Sequence, residues 1–201
     1  MRYSLLVVSL LFALLACSGL PSGGLSAEQS HVLNNERSTV QFVSIKNSLI
    51  AETHRFTSVS GFLSEGDRAQ VQINLASVET AIPIRNERMR EHLFDVARFA
   101  TANVSVPLVE HASADLRRGE SETRDVSVTL DLHGNTSELN TSVTVFRRRD
   151  GGLTVQSVAP VTVNASSFEL TEGIEKLREL AGLSVISQAV PVSFVLNFDP
   201  A

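Results

Sequence analysis

The sequence predicts an all-β domain, either a sandwich or a closed barrel of about eight strands, and three observations support this prediction. Apolar and polar residues alternate over several segments, which places alternate side chains on opposite faces of a strand. Turn residues separate these segments at short intervals. The 201 residues, 43% of them hydrophobic, suit a single domain with one core.

The first element is a predicted export signal over residues 1–16. Arg2 gives it a positive start, and the apolar run over residues 5–16 is shorter than a membrane-spanning helix. This run closes with the sequence LLAC, which resembles a bacterial lipobox, a motif whose cysteine is lipidated and becomes the mature N-terminus. Cys17 is the only cysteine of the chain, and we predict lipidation there rather than a buried or reactive core thiol.

The residues after Cys17 predict where the protein resides. A serine follows the cysteine, as in lipoproteins sent to an outer membrane, so we expect an exported protein anchored in the bacterial outer membrane and facing the periplasm. Residues 17–30 are rich in glycine and serine and are predicted to form a lipidated flexible tether, ahead of a strand-rich domain over residues 31–201. A rival cleavage after Ala27 would leave a soluble periplasmic protein, but Leu25 is large for its position before that cut.

The predicted strands follow in chain order. Alternation is clear over residues 71–75, 126–132 and 190–198, and weaker over residues 39–45, 58–63, 103–108, 139–146 and 153–163. Residues 64–67, 133–136 and 150–152 carry turn chemistry of the kind that joins hairpins.

Two segments break the strand period and predict short helices. In the first, Met89, Leu93 and Val96 share one helical face, and we expect the helix to end near Phe94. In the second, the apolar stripe contains Ile174, Leu177 and Ala181, with Thr171 predicted to cap the start and Gly182 the end. We expect both helices to lie over an opening between the strands.

An ordered set of short motifs runs through and around residues 82–106. In chain order they are Ile73-Asn74-Leu75, residues 77–80, Arg85-Asn86, Met89-Arg90, Phe94-Asp95 and Phe99. This order resembles the signature region of the YceI-like family, and the resemblance extends over about 165 residues. It implies an exported, about eight-stranded antiparallel lipocalin-like barrel with one or two short helices over residues 31–201. It also implies binding of an isoprenoid lipid rather than catalysis.

The apolar strand faces are the main functional candidate. The interior of an eight-stranded barrel is either filled by its own side chains or just wide enough for one small ligand, and the strand pattern alone leaves both open. The resemblance favours an apolar cavity that binds a polyisoprenoid, lined by Phe42, Phe62, Ile73, Leu75, Met89, Phe94, Phe99, Val128, Leu130, Phe168, Phe194 and Leu196. The alternative is a solid barrel that acts as a non-enzymatic protein-interaction module of the cell envelope.

Arginines of the first helical segment are candidate headgroup contacts. Arg85, Arg88 and Arg90 carry guanidinium groups whose fixed fork matches phosphate oxygens. The alternative is a solvated helix face on which these arginines pair with Glu87 and Glu91. The arginine run at residues 147–149 is interpreted as the charged end of a hairpin.

Composition and motifs argue against other classes of function. A net charge of -5 and a pI near 5.5 disfavour a nucleic-acid partner. The five histidines show no ligand-like spacing, so no metal or other cofactor is predicted. No nucleophile elbow or phosphate loop is present, and an enzyme acting on a lipid inside the barrel would need polar groups that converge there. A membrane-inserted barrel is disfavoured because tryptophan is absent and the single tyrosine lies in the leader.

Overall fold

The computed structural model describes residues 29–64, 68–107 and 116–201. The predicted export signal, the lipidation site Cys17 and the tether up to residue 28 lie outside the described residues and stay predictions. The first strand begins at Gln29, two residues before the predicted start of the domain.

Twelve strand segments, all paired antiparallel, make up most of the described chain. They are β1 Gln29–Leu33, β2 Thr39–Lys46, β3 Ile50–Phe56, β4 Val59–Ser64, β5 Arg68–Asn74, β6 Val78–Glu79, β7 Thr101–Pro107, β8 Ser121–Leu132, β9 Asn135–Arg147, β10 Leu153–Ser157, β11 Val161–Asn164 and β12 Ala189–Pro200.

These segments combine into eight strands that close on themselves. β1 continues into β2, β3 into β4, β5 into β6 and β10 into β11, each across a short break. One edge of β12 pairs with β1 and β2, and its other edge pairs with β10 and β11. The sheet therefore closes through β12 into an antiparallel, lipocalin-like barrel, which confirms the predicted fold.

Asparagine side chains end two of the interrupted strands. Between β1 and β2, Asn34 accepts a hydrogen bond from the backbone amide of Arg37 (3.2 Å) over a 3-10 turn at Asn35–Arg37. Between β5 and β6, Asn74 accepts one from the amide of Ala76 (3.0 Å) over a second 3-10 turn. Asparagine suits such turns because its short side chain bonds to the backbone two or three residues on.

The connections divide between the two ends of the barrel, since successive antiparallel strands turn back at alternate ends. The helical end carries the β2–β3 turn, the β8–β9 turn and two longer connections. One longer connection contains α1 Pro83–Arg88 followed by a π-helical turn at Met89–Leu93. The other contains a 3-10 turn at Ala165–Phe168 and α2 Thr171–Ala181. The opposite end, called the terminal end here, holds the start of β1 and the end of β12.

The two helical segments lie against each other, as expected for a shared cover over one end. A Cβ atom at Gly173 of α2 would approach the carbonyl oxygen of His92 to 2.6 Å, so glycine permits this close contact. No helix in residues 29–64, 68–107 and 116–201 has the length and hydropathy needed to span a lipid bilayer.

The helix limits confirm part of the sequence prediction and correct the rest. Gly182 ends α2 with a positive φ of 63°, as predicted. The prediction that Thr171 caps its start is wrong, because Leu170 is the N-cap and the Thr171 hydroxyl instead donates to the Gln188 side chain (3.0 Å). The first helical segment ends before Phe94, as expected. Its last turn is a π-turn, in which the Phe94 amide donates to the Met89 carbonyl (2.9 Å), and this wider turn brings Phe94 onto the buried side beside Met89.

Candidate functional site

The barrel encloses a cavity of about 790 Å³. This volume falls within the range of sites that hold small molecules or lipid chains. Each long strand contributes alternate residues to the wall, for example Val126, Val128, Leu130 and Leu132 of β8. Because the side-chain period of a strand is two, the same alternation that predicted the strands also produces the apolar interior.

The middle of the wall is almost entirely apolar. Its side chains include Val40, Val71, Ile73, Ala102, Val104, Val106, Leu139, Val143, Val145, Val155, Val192, Phe194 and Leu196. Thr141 is a polar exception in this region. A surface of this kind binds hydrocarbon by burial and offers little to a polar ligand.

The helical end of the cavity is closed by a floor made of Leu93, Phe94, Leu170 and Ile174. The Phe94 ring lies 5.9 Å from that of Phe56, centroid to centroid, in the range of favourable aromatic pairs. Beneath the floor the structure is packed solid, since Phe168 is fully buried and Met89 is nearly so.

A polar layer lies behind the aromatic residues at the helical end. His54 is buried beside the Phe42 ring, and its Nε2 lies 2.9 Å from the Ser44 hydroxyl. Burial, more than the neighbouring charge of Arg85, lowers the pKa of His54 below its ordinary value. A neutral imidazole is therefore the favoured form in the folded protein.

Glu52 joins the β2–β3 hairpin to the first helix. Its carboxylate accepts hydrogen bonds from Lys46 (2.9 Å) and Arg85 (2.6 Å), and these bonds lower the pKa of Glu52. A second Arg85 nitrogen donates to the carbonyl of Thr80 (2.7 Å). Arg85 therefore ties the helical connection to the barrel wall.

The cavity wall becomes polar at the terminal end. Four residues, called the polar wall here, face the cavity there: Ser30, His31, Ser64 and Arg147. The Ser30 hydroxyl donates to the carbonyl of Leu63 (3.3 Å), and His31 Nε2 donates to the carbonyl of Gly151 (3.2 Å). These hydrogen bonds fix the two polar side chains of β1 against β4 and against the β9–β10 turn.

The terminal end is also fastened by a buried arginine, Arg148, which is not a cavity-wall residue. The Arg148 guanidinium donates to Asp150 (3.1 Å), to Asn197 (3.3 Å) and to Asp199. The pKa of Asp199 is lowered by hydrogen bonds from Asn34 and then from Arg148. Arg148 therefore connects the β9–β10 turn to the end of β12.

Eight of the twelve lining residues predicted from the sequence lie on the cavity wall. They are Phe42, Ile73, Leu75, Phe94, Val128, Leu130, Phe194 and Leu196. Contact of these residues with a ligand stays a prediction.

The other four predicted lining residues lie off the cavity wall. Phe62 precedes the wall residue Leu63 in β4, so it lies on the outer face. Met89 and Phe168 are buried beneath the floor. Phe99 packs on the ring of His133, with 4.3 Å between centroids, at the β8–β9 turn.

The three predicted headgroup arginines all lie at the helical end, away from the polar wall. The ion-pair partner of Arg85 is Glu52 of β3, rather than Glu87 or Glu91 of its own helix. Arg88 donates to the carbonyl of Leu180 (3.1 Å), which ties the first helix to α2. Arg90 is half-buried, with its Nε turned away from solvent.

Sequence reasoning missed the polar wall. The sequence pattern places Ser30 in the tether and Arg147 at the charged end of a hairpin. A signal was present for Arg147, because it continues the inward alternation of Val143 and Val145 along β9. The position of Ser64 beside the start of β1 depends on a register, Gln29 opposite Ser64, that the strand pattern does not specify.

Closed strands around an apolar chamber define a lipocalin-like barrel, the class of single-domain protein that encloses its ligand site within one sheet. The family model of the YceI-like domain matches residues 31–198. The chain therefore belongs to the YceI-like family. Among curated proteins there is no match.

Solved structures agree with this assignment. The chain is 42% identical to a polyisoprenoid binding domain from Saccharophagus degradans implicated in plant cell wall breakdown, with a TM-score of 0.83, covering 87% of this chain and 100% of that one. The fold is also similar to that of BcnA from Burkholderia cenocepacia, with a TM-score of 0.62 at 19% identity, covering 82% of this chain and 98% of that one.

Proposed function

We propose that this protein binds or carries a polyisoprenoid lipid inside its barrel. The observation that carries the proposal is the continuous apolar cavity of about 790 Å³, which runs from the floor to the polar wall. The Saccharophagus degradans domain, 42% identical over its whole length, is a polyisoprenoid binding domain, and this likeness supports the ligand class. No reaction is proposed for the cavity.

The size of the cavity agrees with a prenyl chain. At roughly 30 Å³ for each water-sized group, it holds about 26 such groups, or a chain of about five isoprene units. Burial contributes roughly 0.8 kcal/mol per methylene, so a chain of about 25 carbons supplies at most ~20 kcal/mol. Association costs about 4 to 15 kcal/mol, so a net binding free energy of ~5 kcal/mol or more remains.

Extraction tests the ligand class directly. The purified barrel domain, beginning at Gln29, is extracted with organic solvent, and the extract is analysed by mass spectrometry. We expect a prenyl lipid in the extract and displacement of a hydrophobic dye by added prenyl alcohols. An empty extract together with no dye displacement would instead support the alternative of a protein-interaction module.

Two neighbouring residues of β8 provide a matched control. Val128 lies on the cavity wall, and Thr129 lies on the opposite face of the same strand. The substitution Val128→Trp fills the cavity, so it should abolish dye and lipid binding, whereas Thr129→Trp should bind as the native protein does. Equal binding by the two variants would place the ligand outside the cavity.

We further propose that the protein is a lipoprotein of the bacterial outer membrane, facing the periplasm. The support is the sequence of residues 1–18, an apolar run that closes on Cys17 and is followed by serine. In cell fractionation, Cys17→Ala should move the protein from the membrane to the soluble periplasmic fraction. Unchanged membrane association of the variant would exclude anchoring through Cys17.

A further inference from the structure

The cavity has chemically different ends. In the described part of the chain, the floor of Leu93, Phe94, Leu170 and Ile174 brings only hydrocarbon side chains to the cavity. At the terminal end, the polar wall brings two hydroxyl groups, an imidazole and a guanidinium to the same space.

Three residues of the polar wall come from the adjoining strands β1 and β4, and the fourth, Arg147, faces the same end of the cavity from β9, across β12 and β10. Ser30 and His31 follow each other in β1, and their side chains lie 3.1 Å apart. Gln29 of β1 is paired with Ser64 of β4. His31 is bonded to the carbonyl of Gly151, in the turn that follows Arg147. Groups from three strands therefore meet at one end of the cavity.

The inner face of β8 shows the same change of polarity. From the helical end it presents Leu132, Leu130, Val128 and Val126 to the cavity. The next inward position towards the terminal end is Arg124, whose side chain is only 15% exposed and pairs with Glu122 at 2.7 Å. The change from hydrocarbon to charge is therefore a property of the barrel end and extends beyond the polar wall.

We infer that the cavity binds a single-headed anionic amphiphile in one orientation, with its tail on the floor and its headgroup at the polar wall. This inference rests on the proposed function and adds the orientation and the chemistry of the headgroup. An oxygen-rich anion such as a phosphate matches Arg147 through the fork of its guanidinium, and the Ser64 hydroxyl can supply a further donor. In the reverse orientation the headgroup would be buried against hydrocarbon without hydrogen-bond partners, which costs several kcal/mol.

The absence of tryptophan from the chain makes the orientation measurable. Phe94→Trp places a single reporter on the floor, and Val145→Trp places one on the wall next to Arg147. The quenchers are two stearic acids, one with a nitroxide near its terminal methyl group and the other with a nitroxide near its carboxylate. Leu170→Trp is a second floor reporter if Phe94→Trp does not fold.

The expected pattern is reciprocal. The floor reporter should be quenched several-fold more by the label near the methyl group, and the Val145→Trp reporter by the label near the carboxylate. The reverse pattern, or equal quenching of both reporters by both probes, would overturn the orientation.

A second measurement tests the headgroup site. Geranylgeranyl phosphate and geranylgeraniol share a tail, so only the former should lose affinity, by about tenfold, in the full chain carrying Arg147→Met. Arg149→Met is the matched control, because Arg149 is exposed and lies off the wall, and it should change neither affinity. Inorganic phosphate, which has no tail, should not displace either lipid.

The outcomes separate the two proposals. Equal losses for the phosphate and the alcohol, or no loss for either, would overturn the headgroup site while leaving the lipid cavity in place. If the native chain binds neither compound, the proposed function is overturned and, with it, the orientation.

Discussion

The helical end and the terminal end of this barrel are stabilised by different forces. At the helical end, Phe168, Leu75 and Val78 are almost completely buried in one apolar cluster beneath the helices. At the terminal end, the buried guanidinium of Arg148 joins the β9–β10 turn to Asp199 near the C-terminus. The comparison shows that the cavity ends on hydrocarbon side chains at the floor and on polar and charged side chains at the polar wall.

The comparison first predicts where truncation of a phenylalanine is most damaging. Phe168→Ala removes a fully buried ring from the packed helical end, so the free energy of unfolding should fall by about 4 kcal/mol. Phe194→Ala is the control, because that ring already faces the cavity, and its loss should be about 1 to 2 kcal/mol. Urea unfolding followed by circular dichroism measures both values. Equal losses would mean that the wall of the cavity is as tightly packed as the core below it.

The second prediction concerns the terminal end. A Cβ atom at position 152 would collide with the Arg148 guanidinium and approach the Phe198 carbonyl oxygen to 2.7 Å. Gly152→Ala should therefore displace the buried arginine and lower the free energy of unfolding by about 3 kcal/mol.

Gly182→Ala is the control for backbone strain. Gly182 has a positive φ of 63°, but a Cβ atom there would have open space around it, so the loss should be about 1 to 2 kcal/mol. Thermal or urea unfolding compares the two alanine variants. Losses of similar size would show that the packing of Arg148 against Gly152 contributes little to the terminal end.

Most of the fold could be predicted from the sequence, because alternation is imposed wherever a strand has one apolar inner face. Each of the eight predicted strand regions overlaps one of the eight observed strands. β3 was missed because its inner face carries Glu52 and His54, which break the apolar pattern at the helical end. The predicted strand over residues 153–163 is interrupted in the structure at residues 158–160, where Pro160 cannot donate to a ladder.

Less of the site could be predicted. Whether a residue lies on the cavity wall depends on the register of its strand and on the distance of its element from the cavity. Phe62 and Leu63 are adjacent and both apolar, so the sequence alone does not show which one faces inward. Phe168 and Met89 are apolar in helical segments, whose distance from the cavity is set by tertiary packing. Arg85 and Arg88, which stand within the family-like motifs, lie at the helical end, whereas Arg147, which stands outside them, lies on the cavity wall.

The third prediction is a pH dependence that arises at the helical end. Burial lowers the pKa of His54 in the folded state, so the unfolded chain binds a proton more readily than the folded one. The stabilisation from neutral His54 is therefore complete above the ordinary imidazole pKa of about 6.5. It is lost as the pH falls through that value towards the lowered folded pKa.

Urea midpoints measured between about pH 7.5 and pH 5 test this dependence. The native protein should become less stable across the interval, and His54→Gln should flatten the curve there. Below that interval both proteins should lose stability alike, because the pKa of Glu52 is also lowered and its ion pairs are lost on protonation. An unchanged slope in His54→Gln would assign the effect to groups other than His54.

The smallest expected effect concerns the attachment of the first helix to the barrel. The ion pair of Arg85 with Glu52 is about one-quarter to one-third exposed, so solvent screens it, and Arg85→Met should lower the global stability by only about 1 kcal/mol. The effect on local opening of the first helix should be larger, because the same guanidinium also bonds to the carbonyl of Thr80. Amides of α1 should exchange hydrogen faster in Arg85→Met, while those of β9 keep the native rate.

Arg88→Met, which removes one bond to the carbonyl of Leu180, is the control and should change the exchange of the α1 amides less. Faster exchange in β9 as well would mean that the helical connection and the barrel wall open as one unit rather than separately.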